Sequence, residues 1–142
     1  MIRKSAHLEC TPAKAFALVT ERASEWWPGA VRHTGDPRSQ IRMLASGRFW
    51  ERADSGLEVE LGRVLVWEPA RRLVLDFYPG TDDEHPTEVV ITFTAESDGT
   101  RIDIEHSPKP ESANLWAMGA TRFERAWILV LASLRGASAR SQ

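Results

Sequence analysis

The sequence predicts an α+β domain in which an antiparallel sheet of about six to seven strands offers its apolar face to one long C-terminal helix. Three observations predict it. Six segments between residues 41 and 106 alternate apolar and polar side chains with a period of two, and turn signals separate them. Beyond residue 112 the apolar spacing changes to that of a helix. Between the first short strand and the others, a Thr-Pro pair and a Pro-Gly pair bracket two short helical stretches.

In chain order, residues 2–8 alternate weakly and form the first strand. Thr11 then supplies a helix N-cap and Pro12 the first helical residue, where a missing N–H is harmless. The helix over 13–19 places Phe16 and Val19 on one side, with Ala15 beside them. A second helical turn or short helix runs over 21–27 until Pro28 and Gly29 stop it, and residues 30–38, with Gly35, Asp36 and Pro37, read as loop. The strands follow at 41–44, 48–52, 57–67, 72–78, 87–96 and 100–106. Their separators are Ser46-Gly47, Asp54-Ser55-Gly56, Glu68-Pro69, Pro79-Gly80 and Asp98-Gly99.

Period-two geometry assigns the faces of these strands. Val89, Ile91 and Phe93 share one face, as do Ile102, Ile104 and His106, and Leu73, Leu75 and Phe77 form a third stripe away from Asp76. The last helix begins near Ser112 or Asn114. Phe123, Trp127, Val130, Leu131 and Leu134 form its apolar stripe, Trp116 and Ala120 extend it upstream, and Gly136 offers a C-terminal stop. The domain therefore spans 1–136, with 137–142 as a flexible C-terminal tail.

Composition narrows the function. The 142 residues suffice for one self-sufficient core, and 18 basic against 20 acidic residues give a net charge of −2, which gathers neither nucleic acid nor an anionic membrane. A single cysteine, Cys10, makes no internal disulfide, and no stretch resembles a signal peptide or a membrane span, so the expectation is a cytoplasmic protein without membrane insertion. Phosphate-binding loops, dinucleotide glycine patterns, nucleophile elbows and paired-cysteine metal motifs are all missing, and no cofactor or metal is expected. The 82–85 segment, Asp-Asp-Glu-His, lacks defined ligand spacing and reads as a solvated hairpin loop.

The chain also carries a family likeness. Gly47-Arg48-Phe49-Trp50-Glu51-Arg52, and Gly62-Arg63-Val64-Leu65-Val66-Trp67-Glu68-Pro69-Ala70-Arg71-Arg72-Leu73, resemble the START-like SRPBCC superfamily. More narrowly they are similar to the branch related to the C-terminal domain of the activator of the heat-shock chaperone ATPase. The Trp26-Trp27-Pro28 ending of residues 20–28, the strand Thr87-Glu88-Val89-Val90-Ile91-Thr92-Phe93, Gly99-Thr100-Arg101-Ile102 with Glu105-His106, and Trp127 extend the resemblance to nearly the whole chain. It implies a helix-grip fold, a curved antiparallel sheet wrapped around the C-terminal helix with a cavity between them. Many relatives place a glycine after the histidine of the seventh strand, where Ser107-Pro108-Lys109-Pro110 stands here, so the pocket rim is expected to differ.

Six tryptophans in 142 residues suit either a dense core or the wall of a cavity. The candidate ligand-binding residues are Trp26, Trp27, Phe49, Trp67, Phe77, Ile91, Phe93, Ile104, His106, Trp116, Ala120, Phe123 and Trp127. The expected function is binding of a hydrophobic small molecule, lipid-like or aromatic, between sheet and helix. His106, on the inward face beside Ile104, is the one candidate general acid or base, for a cyclase, hydrolase or isomerase acting on an apolar substrate. A chaperone-regulating or other protein-interaction module is the third reading, with a chaperone as partner, and an unpaired strand edge or aromatic patch would support a homodimer. Glu58 and Glu60, on one strand face, read as ordinary ion-pair partners of Arg48 and Arg52.

Overall fold

The Thr11 hydroxyl accepts the Lys14 backbone N–H at 3.3 Å, and Pro12 follows as the first helical residue, so the chain turns directly from strand β1 (Ile2–Leu8) into helix α1 (Pro12–Val19). The computed structural model describes residues 1–140. After α1 come two single 3₁₀ turns, Ala23–Glu25 and Gly29–Val31. Of the helical turn or short helix expected over 21–27, a single 3₁₀ turn forms, and the expected loop opens with another. Six strands follow: β2 (Gln40–Met43), β3 (Arg48–Arg52), β4 (Glu58–Glu68), β5 (Arg72–Phe77), β6 (Thr87–Glu96) and β7 (Gly99–Pro108). A 3₁₀ turn at Pro110–Ser112 leads into helix α2 (Ala113–Arg140).

The strands form one antiparallel sheet in the order β1-β7-β6-β5-β4-β3-β2, curled around α2 in the helix-grip arrangement. Register keeps the apolar rows together: Leu73 opposes Ile91, which opposes Ile104, and Leu75 opposes Val89, which opposes His106. All of these are buried. Register shifts at Phe49/Trp50 in the β3–β4 pair and at Val64/Val66 in the β4–β5 pair mark irregularities of the kind that bend and twist a strand. On α2, Phe123, Trp127, Val130, Leu131 and Leu134 are buried as the helical spacing requires.

The helix does not stop at Gly136. Ala137 and Ser138 are buried, and the Ser138 hydroxyl accepts the Glu9 N–H at 3.3 Å while donating to the Arg135 carbonyl at 2.8 Å. This docking onto the end of β1 outweighs the roughly 1 kcal/mol helix penalty of glycine. The part of the expected tail at 137–140 is thus the last turn of α2, and residues 141 and 142 lie outside the described residues. No described helix is long and apolar enough to cross a membrane.

Gly62 shows how tightly the curled side is built. It pairs with Phe49 on β3 and Phe77 on β5, and a Cβ there would lie 2.1 Å from the Asp76 carbonyl oxygen and 3.1 Å from Phe49 Cδ2. Backbone cannot yield as a side chain can, so Gly62→Ala is expected to destabilise the domain by about 1–3 kcal/mol. A urea-denaturation midpoint equal to that of the parent chain would contradict this close approach.

Candidate functional site

Alternation along β7 turns His106 inward, and four aromatic rings enclose it. Phe123 stands 4.5 Å away between ring centroids, Trp116 5.1 Å, Phe77 5.4 Å and Trp127 5.9 Å. The imidazole is fully buried, so each of its nitrogens needs a partner. The Trp127 indole N–H donates to Nδ1 at 3.0 Å, which requires Nδ1 to be unprotonated. Nε2–H then donates to the Thr87 hydroxyl at 2.7 Å, and that hydroxyl donates to the Phe77 carbonyl at 2.6 Å. One directed relay thus joins α2, β7, β6 and β5. Burial among apolar rings lowers the histidine pKa to about 3, with a lesser contribution from the chain's amino terminus. His106 is neutral at physiological pH, and it has no lone pair left for a substrate proton.

A second buried polar group shapes the rim. Glu51 lies two residues beyond Phe49 on the same inward face of β3 and is fully buried. Its two oxygens accept the backbone N–H groups of His33 at 2.7 Å and Thr34 at 2.9 Å. Burial alone would raise its pKa, but these donors, with the Thr34 and Ser39 hydroxyls, hold it below the usual carboxylate range. Arg32 complements it from the other side of the loop. Its guanidinium donates to the carbonyls of Trp27, Ser24 and Ser39 and to the Ser39 hydroxyl, which occupies all five of its N–H groups. A buried carboxylate and a half-buried guanidinium therefore tie the 24–39 segment down beside α2.

Between this segment and α2 lies a cavity of about 200 Å³. Trp27, Ala30, Val31, Arg32 and His33 form its loop wall, Phe77 and Pro79 its floor at the end of β5, and Arg122, Phe123, Ala126, Trp127 and Val130 its helix wall. The centre of the molecule is different. The space bounded by Trp26, Met43, Phe49, Ile91, Ile104 and Leu134, among others, holds only about 20 Å³, room for roughly one water molecule. Beyond Phe123 a second hollow of about 230 Å³ is lined by Thr87, Trp116, Gly119 and Arg122 with the 80–85 loop.

The expected single cavity is therefore divided. Trp27, Phe77, Phe123 and Trp127 line the 200 Å³ space; Trp26, Phe49, Ile91 and Ile104 line only the filled centre. Trp67 and Phe93 instead pack on Phe16, each with ring centroids 5.2 Å apart, and Trp116 flanks His106 and the second hollow. Ala120 borders none of the three. Sequence reasoning missed Glu51, Arg122, Val31 and Ala126. Alternation from Phe49 was a signal for Glu51, and helical spacing from Phe123 and Trp127 one for Ala126. Glu58 and Glu60 each meet Arg48 at 2.9 Å on an exposed face, as ordinary surface pairs. Asp82 meets His85 at 2.7 Å in the exposed hairpin loop, and no grouping of metal-binding side chains occurs among the described residues.

The relay has a pH signature. The unfolded chain takes up the histidine proton near its ordinary pKa, while folded His106 resists until about pH 3. Its contribution is thus complete above the unfolded pKa and is lost as pH falls, at up to about 1.4 kcal/mol per pH unit between the two values. Urea titrations at a series of pH values should show this slope, reduced by one proton in His106→Gln. Equal slopes for both proteins would contradict a neutral buried imidazole.

Comparison with known proteins agrees with this architecture. CalC of Micromonospora echinospora, described as a self-sacrificing resistance protein, superposes with a TM-score of 0.74 at 24% identity, over 99% of this chain and 94% of its own. The Aha1 dimer of Colwellia psychrerythraea superposes with a TM-score of 0.66 at 16% identity, over 96% and 93% of the two chains. At these identities both likenesses speak for the fold alone. No match was found among curated proteins. A family model matches residues 9–138, and on that match the chain belongs to the family described as Activator of Hsp90 ATPase homolog 1-like proteins.

Proposed function

We propose that this domain binds a small hydrophobic molecule in the 200 Å³ space between α2 and the loop of residues 27–33. The observation that carries the reading is an open volume walled by Trp27, Phe77, Phe123 and Trp127 beside a centre that is otherwise filled. A cavity of about 150 Å³ accommodates a benzene molecule, whereas drug-sized and lipid-like ligands occupy roughly 300–1,000 Å³. The volume therefore favours an aromatic occupant of about one ring over a lipid chain. Binding is favoured over catalysis because both nitrogens of His106 are engaged within the fold.

Ala126 is a small lining residue on the helix wall, half-buried, from which a larger side chain fills the space. Ala126→Phe is expected to weaken indole binding by at least about tenfold in calorimetric titration, with an unchanged circular-dichroism spectrum. Parent-like affinity in the folded variant would contradict this location.

A second reading, regulation of an Hsp90-type chaperone, draws on the family description and on Met118, Ile128 and Leu129, which are exposed on α2 away from the sheet. In that reading the domain raises the chaperone's ATP-hydrolysis rate and Ile128→Asp abolishes the rise. A rate unaffected by the parent domain would remove it.

A further inference from the structure

We propose that the molecule bound in the 200 Å³ cavity is a small aromatic monocarboxylate, with the Arg122 guanidinium as the group that receives its charge. The proposal rests on the cavity being a binding site and adds the chemical class of its occupant. Although the chain carries a net charge of −2, the cavity wall contains Arg32, His33 and Arg122 and no acidic residue. Arg32 is fully committed to the carbonyls and hydroxyl of its own loop. Glu51, the buried acid behind that loop, has both oxygens on the N–H groups of His33 and Thr34, so it faces the loop backbone with its bonding capacity largely used.

Arg122 is placed differently. Its side chain is exposed, and its guanidinium lies 5.0 Å from the Phe123 ring centroid, where it makes one long hydrogen bond, 3.3 Å, to the Pro79 carbonyl. Among the described residues no carboxylate lies within ion-pair distance of it. Gly80 makes room for it: a Cβ at that position would stand 2.4 Å from Nη1. The result is a planar donor fork with unused N–H groups at the mouth of an aromatic space about one ring in size. Such a fork matches the two oxygens of a carboxylate, and the ring face of Phe123 fixes its plane. A ring can enter between Trp27, Phe77 and Trp127 while its acid group stays at the rim.

The test titrates the protein with benzoate, phenylacetate and phenylpropionate, each beside its neutral amide, by calorimetry. At least one acid is expected to bind about tenfold more tightly than its amide, the scale of one charge-assisted contact. Arg122→Gln should erase that preference, and Arg122→Lys, which keeps the charge and loses the fork, should retain part of it. A preference that persists in Arg122→Gln, or amides that bind as well as the acids, would overturn the assignment of charge while leaving the cavity reading intact. If neither acids nor amides bind the parent protein while it is folded, the cavity reading itself fails and this proposal with it.

Discussion

The hydrogen-bond relay from Trp127 through His106 and Thr87 to the Phe77 carbonyl is the constraint on which the arrangement of this domain depends. An imidazole buried among four rings is tolerable only if both nitrogens are satisfied, because each unmet polar atom there costs about 1–3 kcal/mol. Satisfying them fixes the rotation of α2, since the Trp127 indole must point at Nδ1. That rotation turns Phe123 onto the imidazole and Val130 and Leu134 onto the central rows of the sheet. The middle of the sheet is consequently filled, and open volume remains on either side of Phe123, in the space where α2 faces the loop of residues 27–33 and in the hollow beside the 80–85 loop.

What encloses the space beside the 27–33 loop is again a matter of charged side chains finding backbone partners. Glu51 and Arg32 form no ion pair with each other. Each is committed to main-chain groups of the same segment, the carboxylate to N–H groups at 33 and 34 and the guanidinium to carbonyls at 24, 27 and 39. A segment with only two single 3₁₀ turns gains a defined shape in this way. Arg122 stands outside this economy of partners, at the junction of the two hollows that Phe123 separates.

The sheet and the long helix were legible because their signals are local. Period-two rows such as Val89-Ile91-Phe93 and the spacing of Phe123, Trp127 and Leu134 are imposed by burial on one face, and the family likeness added the curl and the grip. His106 was correctly turned inward by the same rule. Its partners were not legible, because Thr87 and Trp127 are distant in sequence and the relay exists only once three strands and a helix are in register. Glu51 illustrates the same limit: alternation turns it inward, yet its partners sit in a loop with no periodicity. The end of α2 was misjudged for a tertiary reason, the docking of Ser138 on Glu9, which no helix-stop signal anticipates. Cavity position is the least legible feature of all. It is a small difference between large packed volumes, and residue type alone does not distinguish Trp67 and Phe93, which pack on Phe16, from Trp27 and Phe77, which wall the open space.

The most direct measurement is nitrogen NMR of the imidazole rings in histidine-labelled protein as the pH is taken from about 8 down to about 5. The relay predicts that one of the four histidines, identified by its loss in His106→Gln, keeps a protonated Nε2 and an unprotonated Nδ1 throughout. A His106 ring that titrates near its ordinary pKa would contradict the relay, and would restore that residue as a candidate acid or base.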